Sequence, residues 1–193
     1  MMDCFEAQKV IDQHRAAEAV VVTAGICVRE WPQISSSDLD LPCGGAMGKA
    51  SSFGLGLALA LPARKVIVLD ADGGLLMNLG SLVTIANMAP TNFIHFVFNN
   101  GVYRGSGGQP IPKPAKLSFR GLAESAGYAQ TFEFAELDQL KGSMERIMGL
   151  RGPTFVCLKV PPLTKHPPFP FIYPPETMAR IRKFRDAIQR SST

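Results

Sequence analysis

Two short apolar runs, each closed by a turn of polar residues and glycine, bracket a helical segment between Val66 and Gly101. This stretch constrains the fold more than any other. Residues 66–69 read VIVL, the composition of a strand buried on both faces of a parallel sheet. They lead into Asp70-Ala71-Asp72-Gly73-Gly74, where the two glycines permit a sharp turn and a close approach of backbone to a ligand. Leu75, Leu79, Leu82 and Ala86 then recur at intervals of four, three and four, which predicts one face of a single helix stopped by Pro90. Residues 93–98 are a second buried strand, ending in Asn99-Asn100-Gly101. A strand, helix and strand of this size form a right-handed crossover. The expected fold class is α/β, a doubly wound, mostly parallel sheet with helices on both faces.

Such a crossover brings Asp72 and Asn100, 28 positions apart in the chain, to the carboxyl ends of two parallel strands. Open α/β sheets bind their ligands there. One carboxylate, one amide oxygen and nearby backbone carbonyls make a hard-oxygen donor set that suits Mg²⁺, which completes its octahedron with phosphate oxygens and water. Gly73 and Gly74 offer backbone N–H groups to a phosphate beside a helix N-terminus. The plainer alternative is an ordinary crossover in which Asp72 and Asn100 are only turn residues.

The rest of the chain reads as further α/β units. Residues 3–19 form an amphipathic helix, and 19–22 a first buried strand running into Thr23-Ala24-Gly25. A loop follows, marked by Trp31-Pro32 and Ser35-Ser36-Ser37. Residues 46–61 are helical but very rich in small side chains, with Lys49 the only charge. Gly48, Gly54 and Gly56 each cost such a helix about 1 kcal/mol against alanine. A close backbone approach would offset that cost, either in an ordinary buried core helix or in one packed against a partner subunit beside a cofactor. Helices are expected at 118–126 and 135–150, and strands at 128–132 and 154–160. Residues 161–175 are proline-dense and read as an extended arm, and 176–190 as a basic helix with a solvated face. The chain is thus one domain over 1–160, followed by an arm and C-terminal helix over 161–193.

With 193 residues, 46% hydrophobic and 19% charged, the chain can bury a substantial core and has some apolar surface to hide against a partner. Its net charge of +4, without an aromatic-basic pattern, does not argue for nucleic acid. Cys4, Cys27, Cys43 and Cys157 are scattered without a C-x-x-C pair, so they read as reduced, buried thiols. No signal-peptide pattern and no bilayer-spanning run is present, so a cytoplasmic protein without membrane contact is expected. His95 reads as a satisfied core residue; His14 and His166 have no company that makes a ligand set.

Asp-Gly, a gap, then Asn-Asn resembles the signature of thiamine-diphosphate enzymes, although Ala71 stands where that family usually has glycine. The resemblance implies thiamine diphosphate and Mg²⁺ as cofactors, the metal being held by the Asp72 carboxylate, the Asn100 side chain and the Val102 carbonyl. Gly45-Ala46-Met47-Gly48 resembles the turn that grips the aminopyrimidine ring. By that resemblance the Gly45 carbonyl accepts from the 4′-amino group, the Met47 N–H donates to N3′, and the Met47 side chain wedges between the rings by dispersion. Gly25, Ala46, Gly73, Gly74 and Tyr103 complete the cofactor contacts it implies.

Asn99-Asn100-Gly101 followed by Gly107-Gly108-Gln109-Pro110, with the small-residue helix, resembles one branch of that family, the sulfopyruvate and phosphonopyruvate decarboxylases, across residues 20–161. Ile111 stands where that branch usually has threonine, and Arg104-Gly105 where an acidic residue is common; both departures bear on substrate more than cofactor. The resemblance implies a carboxy-lyase acting on a small 2-oxo acid, with the coenzyme as electron sink. The family's activating glutamate belongs to a pyrimidine-binding domain that this chain has no room for. Half an active site is therefore expected, with no catalytic residue of its own and a pyrimidine-domain partner subunit in a homo- or hetero-oligomer. Arg104, Lys113 and Lys116 are candidates for a second anionic group on the substrate, each equally readable as a surface charge. An acetolactate-synthase-type carboligase subunit and a catalytically silent cofactor-binding or scaffold subunit stay open. A nicotinamide-binding domain fails, because no G-x-G-x-x-G follows the first strand.

Overall fold

Four strands carry the centre of the molecule: β1 (Ala19–Thr23), β3 (Val66–Ala71), β4 (Phe93–Asn99) and β8 (Thr154–Lys159). Nearly every residue in them is buried. Their apolar runs allow this, since each has a neighbour on both edges and helices on both faces. The computed structural model describes residues 2–23, 26–43, 46–162 and 174–190. Edge strands β2 (Asp40–Cys43) and β7 (Gln130–Phe134) complete a six-stranded, wholly parallel sheet in the order β2-β1-β3-β4-β8-β7.

Side-chain alternation divides the core into two layers. Val20, Val22, Ile67, Leu69, Ile94, Phe96 and Phe98 face α1 (Cys4–Gln13), α2 (Ile26–Glu30) and α7 (Leu137–Gly149). Val21, Val66, Val68, Phe93, Val97 and Phe155 face α3 (Ala50–Ala60), α5 (Ser81–Met88), α6 (Phe119–Ala126) and α8 (Pro174–Arg190). Helix α8 lies over β2 and buries Phe184 in this second layer. Among the described residues no helix is long and apolar enough to cross a membrane. The expected proline-dense arm falls largely on residues 163–173, outside the described ones.

Several elements differ from the sequence expectation. The single helix expected from Leu75 to Ala86 is two, α4 (Asp72–Leu76) and α5, separated by a turn at 77–80. There the N–H groups of Met77, Asn78, Ser81 and Leu82 bond three residues back, and the Asn78 amide donates to Ser52 Oγ on α3. The four-three-four spacing survives as burial but not as one axis. The helix expected from residue 46 begins at Ala50, because Gly48 takes φ +71°, outside the helical region. The stretch read as loop after β1 contains α2 and β2. Four residues including a proline give little periodic signal, and Pro42 is tolerated because β2 has a partner on one edge only. Past Asn100 the glycine-rich loop is a hairpin of β5 (Val102–Tyr103) and β6 (Gln109–Pro110), with a 3-10 turn at Arg104–Ser106.

The glycines of α3 divide by environment. A Cβ on Gly54 would lie 2.2 Å from Val68 Cγ2 and 3.0 Å from the Phe93 ring, both buried. A Cβ on Gly56 would meet nothing within 4 Å. Gly54→Ala should therefore cost about 1–3 kcal/mol by overpacking, more than the propensity gain of about 1 kcal/mol. Gly56→Ala should stabilise the free chain by up to about 1 kcal/mol. Denaturant unfolding of the two variants checks for opposite signs.

Candidate functional site

In the sheet order, β1 leads outward to β2 while β3 enters on the other side of β1, so the connections diverge between the carboxyl ends of β1 and β3. Doubly wound sheets open their binding crevice at such a switch point. A cleft of about 110 Å³ lies there, with Thr23, Met47, Asp72, Gly73, Gly74 and Tyr103 in its walls. The rest of the wall comes from Gly48, Ala71, Met77, Val102 and the Arg104–Ser106 turn.

Asp72 anchors the cleft. Its side chain is only 1% exposed, as the residue follows directly on a buried strand. Oδ1 accepts from the Gly73 N–H at 2.8 Å and Oδ2 from the Gly101 N–H at 2.7 Å. Burial pushes the carboxyl up to about 6, against the pull of N–H groups from Gly101, Gly73 and Asn100, with Asp70 adding to the rise. Asn100 Oδ1 accepts from the Val102 N–H at 2.9 Å. Thus both residues make local bonds of turn residues, and the Gly101 N–H to Asp72 Oδ2 bond joins the tips of β3 and β4. The structure brings Asp72, Gly73, Gly74, Val102 and Tyr103 to one cleft; Asn100 is half-buried and bonded to Val102, and is not among the residues that line it.

The glycines shape this wall. A Cβ on Gly73 would lie 2.7 Å from the Tyr103 ring, and one on Gly74 would lie 2.9 Å from Asp70 Oδ1. Gly48 joins the two motifs, since its left-handed backbone sits where a Cβ would be 3.0 Å from Met77 Cβ and 3.2 Å from the Gly74 carbonyl oxygen. Met47 stands at the mouth, 62% exposed. Ala46 lies elsewhere, against an apolar groove between α3 and α8. Gly25 and Gly45 are outside the described residues. His95 is a satisfied core residue: its ring bridges Asp70 Oδ2 and the Tyr128 hydroxyl, each at 3.3 Å.

Of the basic residues considered for an anion, Arg104 lines the cleft, whereas Lys113 and Lys116 are exposed and outside its wall. Arg104 faces the buried Glu30 of α2, which in turn accepts from the Gln8 amide. Burial raises the Glu30 carboxyl to about 7; Gln8, Cys4 and Arg104 hold it down and Asp3 adds to the rise. Neither Glu30 nor Met77 had a signal in the sequence, since only the three-dimensional path of the hairpin and of the turn at 77–80 brings them in.

Among the described residues no cluster of three or more His, Cys, Asp or Glu could hold a metal. A carboxylate with a remaining lone pair on Oδ1, an amide oxygen and a backbone carbonyl form a different donor set, one fit for a hard cation that keeps water or phosphate oxygens. The close-packed Gly73 and Gly74 leave backbone rather than side chain facing the cleft, as a bound phosphate group requires.

The family model described as thiamine pyrophosphate enzyme, C-terminal TPP binding domain, matches residues 37–158. A phosphonopyruvate decarboxylase of Streptomyces hygroscopicus is 35% identical over 182 residues, covering 92% of this chain and 44% of the relative. A sulfopyruvate decarboxylase subunit beta of Methanothermobacter thermautotrophicus is 37% identical over 162 residues, covering 84% of each chain. The chain thus spans less than half the length of the phosphonopyruvate decarboxylases it matches. Benzoylformate decarboxylase from Polynucleobacter necessarius shares the fold, with a TM-score of 0.73 at 19% identity over 85% of this chain and 34% of its own.

The carboxyl buried beneath the Arg104 turn has a measurable signature. A raised pKa means that the folded chain holds the proton more tightly than the unfolded one, so stability present below the ordinary carboxylate range is lost as pH rises through about 7. Glu30→Gln keeps an acceptor for Gln8 and removes that loss. Its unfolding free energy relative to wild type should rise by about 1–2 kcal/mol between about pH 5 and about pH 8, solvent screening taken into account. Urea titrations at the two pH values check it.

Proposed function

This chain belongs to the thiamine pyrophosphate enzyme family and carries its C-terminal TPP-binding domain; on that premise we propose that it is the diphosphate-binding subunit of a Mg²⁺-dependent 2-oxo acid decarboxylase of the sulfopyruvate and phosphonopyruvate type. The observation that carries this reading is the Asp72 carboxylate, buried at the switch point and held by backbone N–H groups from both strand tips. Asp72, Asn100 and the Val102 carbonyl would hold Mg²⁺. The N–H groups around Gly73 and Gly74 would receive the diphosphate, and Met47 and Gly45 the aminopyrimidine. When bound, thiamine diphosphate supplies the electron sink that lets a 2-oxo acid lose CO₂.

The chain's own residues then serve position and charge. Tyr103, whose ring packs against Gly73, narrows the cleft. Arg104 places a cationic group in the wall, which supports a substrate with a second anionic group beside its carboxylate.

A partner subunit supplies the activating glutamate in this reading. Exposed large apolar side chains support it: Met47 and Met77 in the wall of the cleft, and Phe53 and Leu59 on α3 and Val83 and Met88 on α5. Exposed apolar surface of this kind is what a partner subunit would cover.

Calorimetric titration with thiamine diphosphate, with and without Mg²⁺, tests the reading. We expect metal-dependent binding when the chain is joined by a pyrimidine-domain partner, release of CO₂ from an anionic 2-oxo acid, and loss of the metal dependence in Asp72→Ala. Tight binding that ignores Mg²⁺, or that survives Asp72→Ala unchanged, would overturn it.

A further inference from the structure

The carboxyl edge of the sheet carries a row of polar side chains that ends at Asp72, and the site as described does not use the three before it. Glu133 of β7, Lys159 of β8, Asn99 of β4 and Asp72, just past β3, come from four neighbouring strands in sheet order. Asn99 and Lys159 are register partners, so their side chains leave the sheet on the same face. Lys159 Nζ lies 3.4 Å from Glu133 Oε2. Between Lys159 and Asp72 stands the Asn99 amide, buried to 7% exposure. Chemistry decides its orientation. With Oδ1 toward the lysine and Nδ2 toward the carboxylate, it accepts from Lys159 Nζ at 3.0 Å and donates to Asp72 Oδ2 at 3.0 Å. Turned the other way, oxygen would face carboxylate and N–H would face ammonium.

We propose that Lys159 is a positioning residue for Asp72, acting through the Asn99 amide. An amide is an uncharged group that accepts from a cation at one end and donates to an anion at the other. The lysine polarises it, and the strengthened N–H holds Asp72 Oδ2 alongside the Gly101 N–H. Oδ1 then has the Gly73 N–H as its partner and keeps a lone pair for the cleft. Glu133 in turn fixes the lysine, which is 30% exposed and would otherwise swing into solvent. Outer groups of this kind commonly tune the affinity of a metal-holding carboxylate. The consequence for metal rests on the Mg²⁺ reading of Asp72; the positioning itself does not.

The test uses the full chain with Lys159→Met, which keeps the apolar stem without the charge, and Lys159→Arg, which keeps the charge. In the metal-free chain, hydrogen exchange at the Gly101 amide should quicken about tenfold in Lys159→Met and return toward wild type in Lys159→Arg. The Phe96 amide inside β4 should not change, which separates loss of positioning from general loosening. Equal protection of Gly101 in all three proteins, or equal loss at Phe96, overturns the proposal. Should Lys159→Met not fold, Lys159→Gln is read by the same criteria. With the partner present, the Mg²⁺ concentration for half-maximal thiamine diphosphate binding should rise about tenfold in Lys159→Met and recover in Lys159→Arg. If wild type shows no Mg²⁺-dependent binding, the functional reading fails, and the exchange result still decides the positioning.

Discussion

A single bond between two strand tips organises this protein, the one from the Gly101 N–H to Asp72 Oδ2. It joins the end of β3 to the end of β4 at the level where the helices begin, and it does so with a carboxylate rather than a neutral acceptor. Burying that carboxylate is unfavourable, as its raised pKa registers. Three backbone N–H groups and the Asn99 amide offset part of that cost. A bound cation would remove the rest. The fold thus holds a charge in readiness at its switch point, and the surrounding glycines keep side chains out of the space beside it.

Much of this was legible in the sequence because the relevant signals are short-range. Apolar runs at 66–69 and 93–98 announce buried parallel strands, and the glycines after Asp72 announce a backbone-lined turn. Both strands are in place, each slightly longer than its apolar run because Asp70 and Asn99 are carried into the ladder by pairing with neighbours. Leu75 to Ala86 misled for a physical reason. A four-three-four spacing records which side chains are buried, and a helix, a tight turn and a second helix against the same sheet face bury the same residues. β2 was hidden because an edge strand of four residues under a covering helix needs neither alternation nor β-branched side chains.

The site divides in the same way. Asp72, Gly73, Gly74 and Val102 could be named from local chemistry and resemblance. Glu30, Met77 and Lys159 could not, because each reaches the cleft or its anchor through tertiary packing. Arg104 was legible as a departure and as one of three candidates for an anionic group; its place in the cleft wall, near a buried carboxylate, separates it from the other two. Lys113 and Lys116, equally basic, lie outside the wall because the chain has already turned away beyond β6.

Helix α8 has a consequence of its own. By lying over β2 through Ile181, Phe184 and Ile188, it shields a rim whose unpaired amides and carbonyls would otherwise template strand addition. Growth of the sheet into a neighbouring molecule is blocked on that flank.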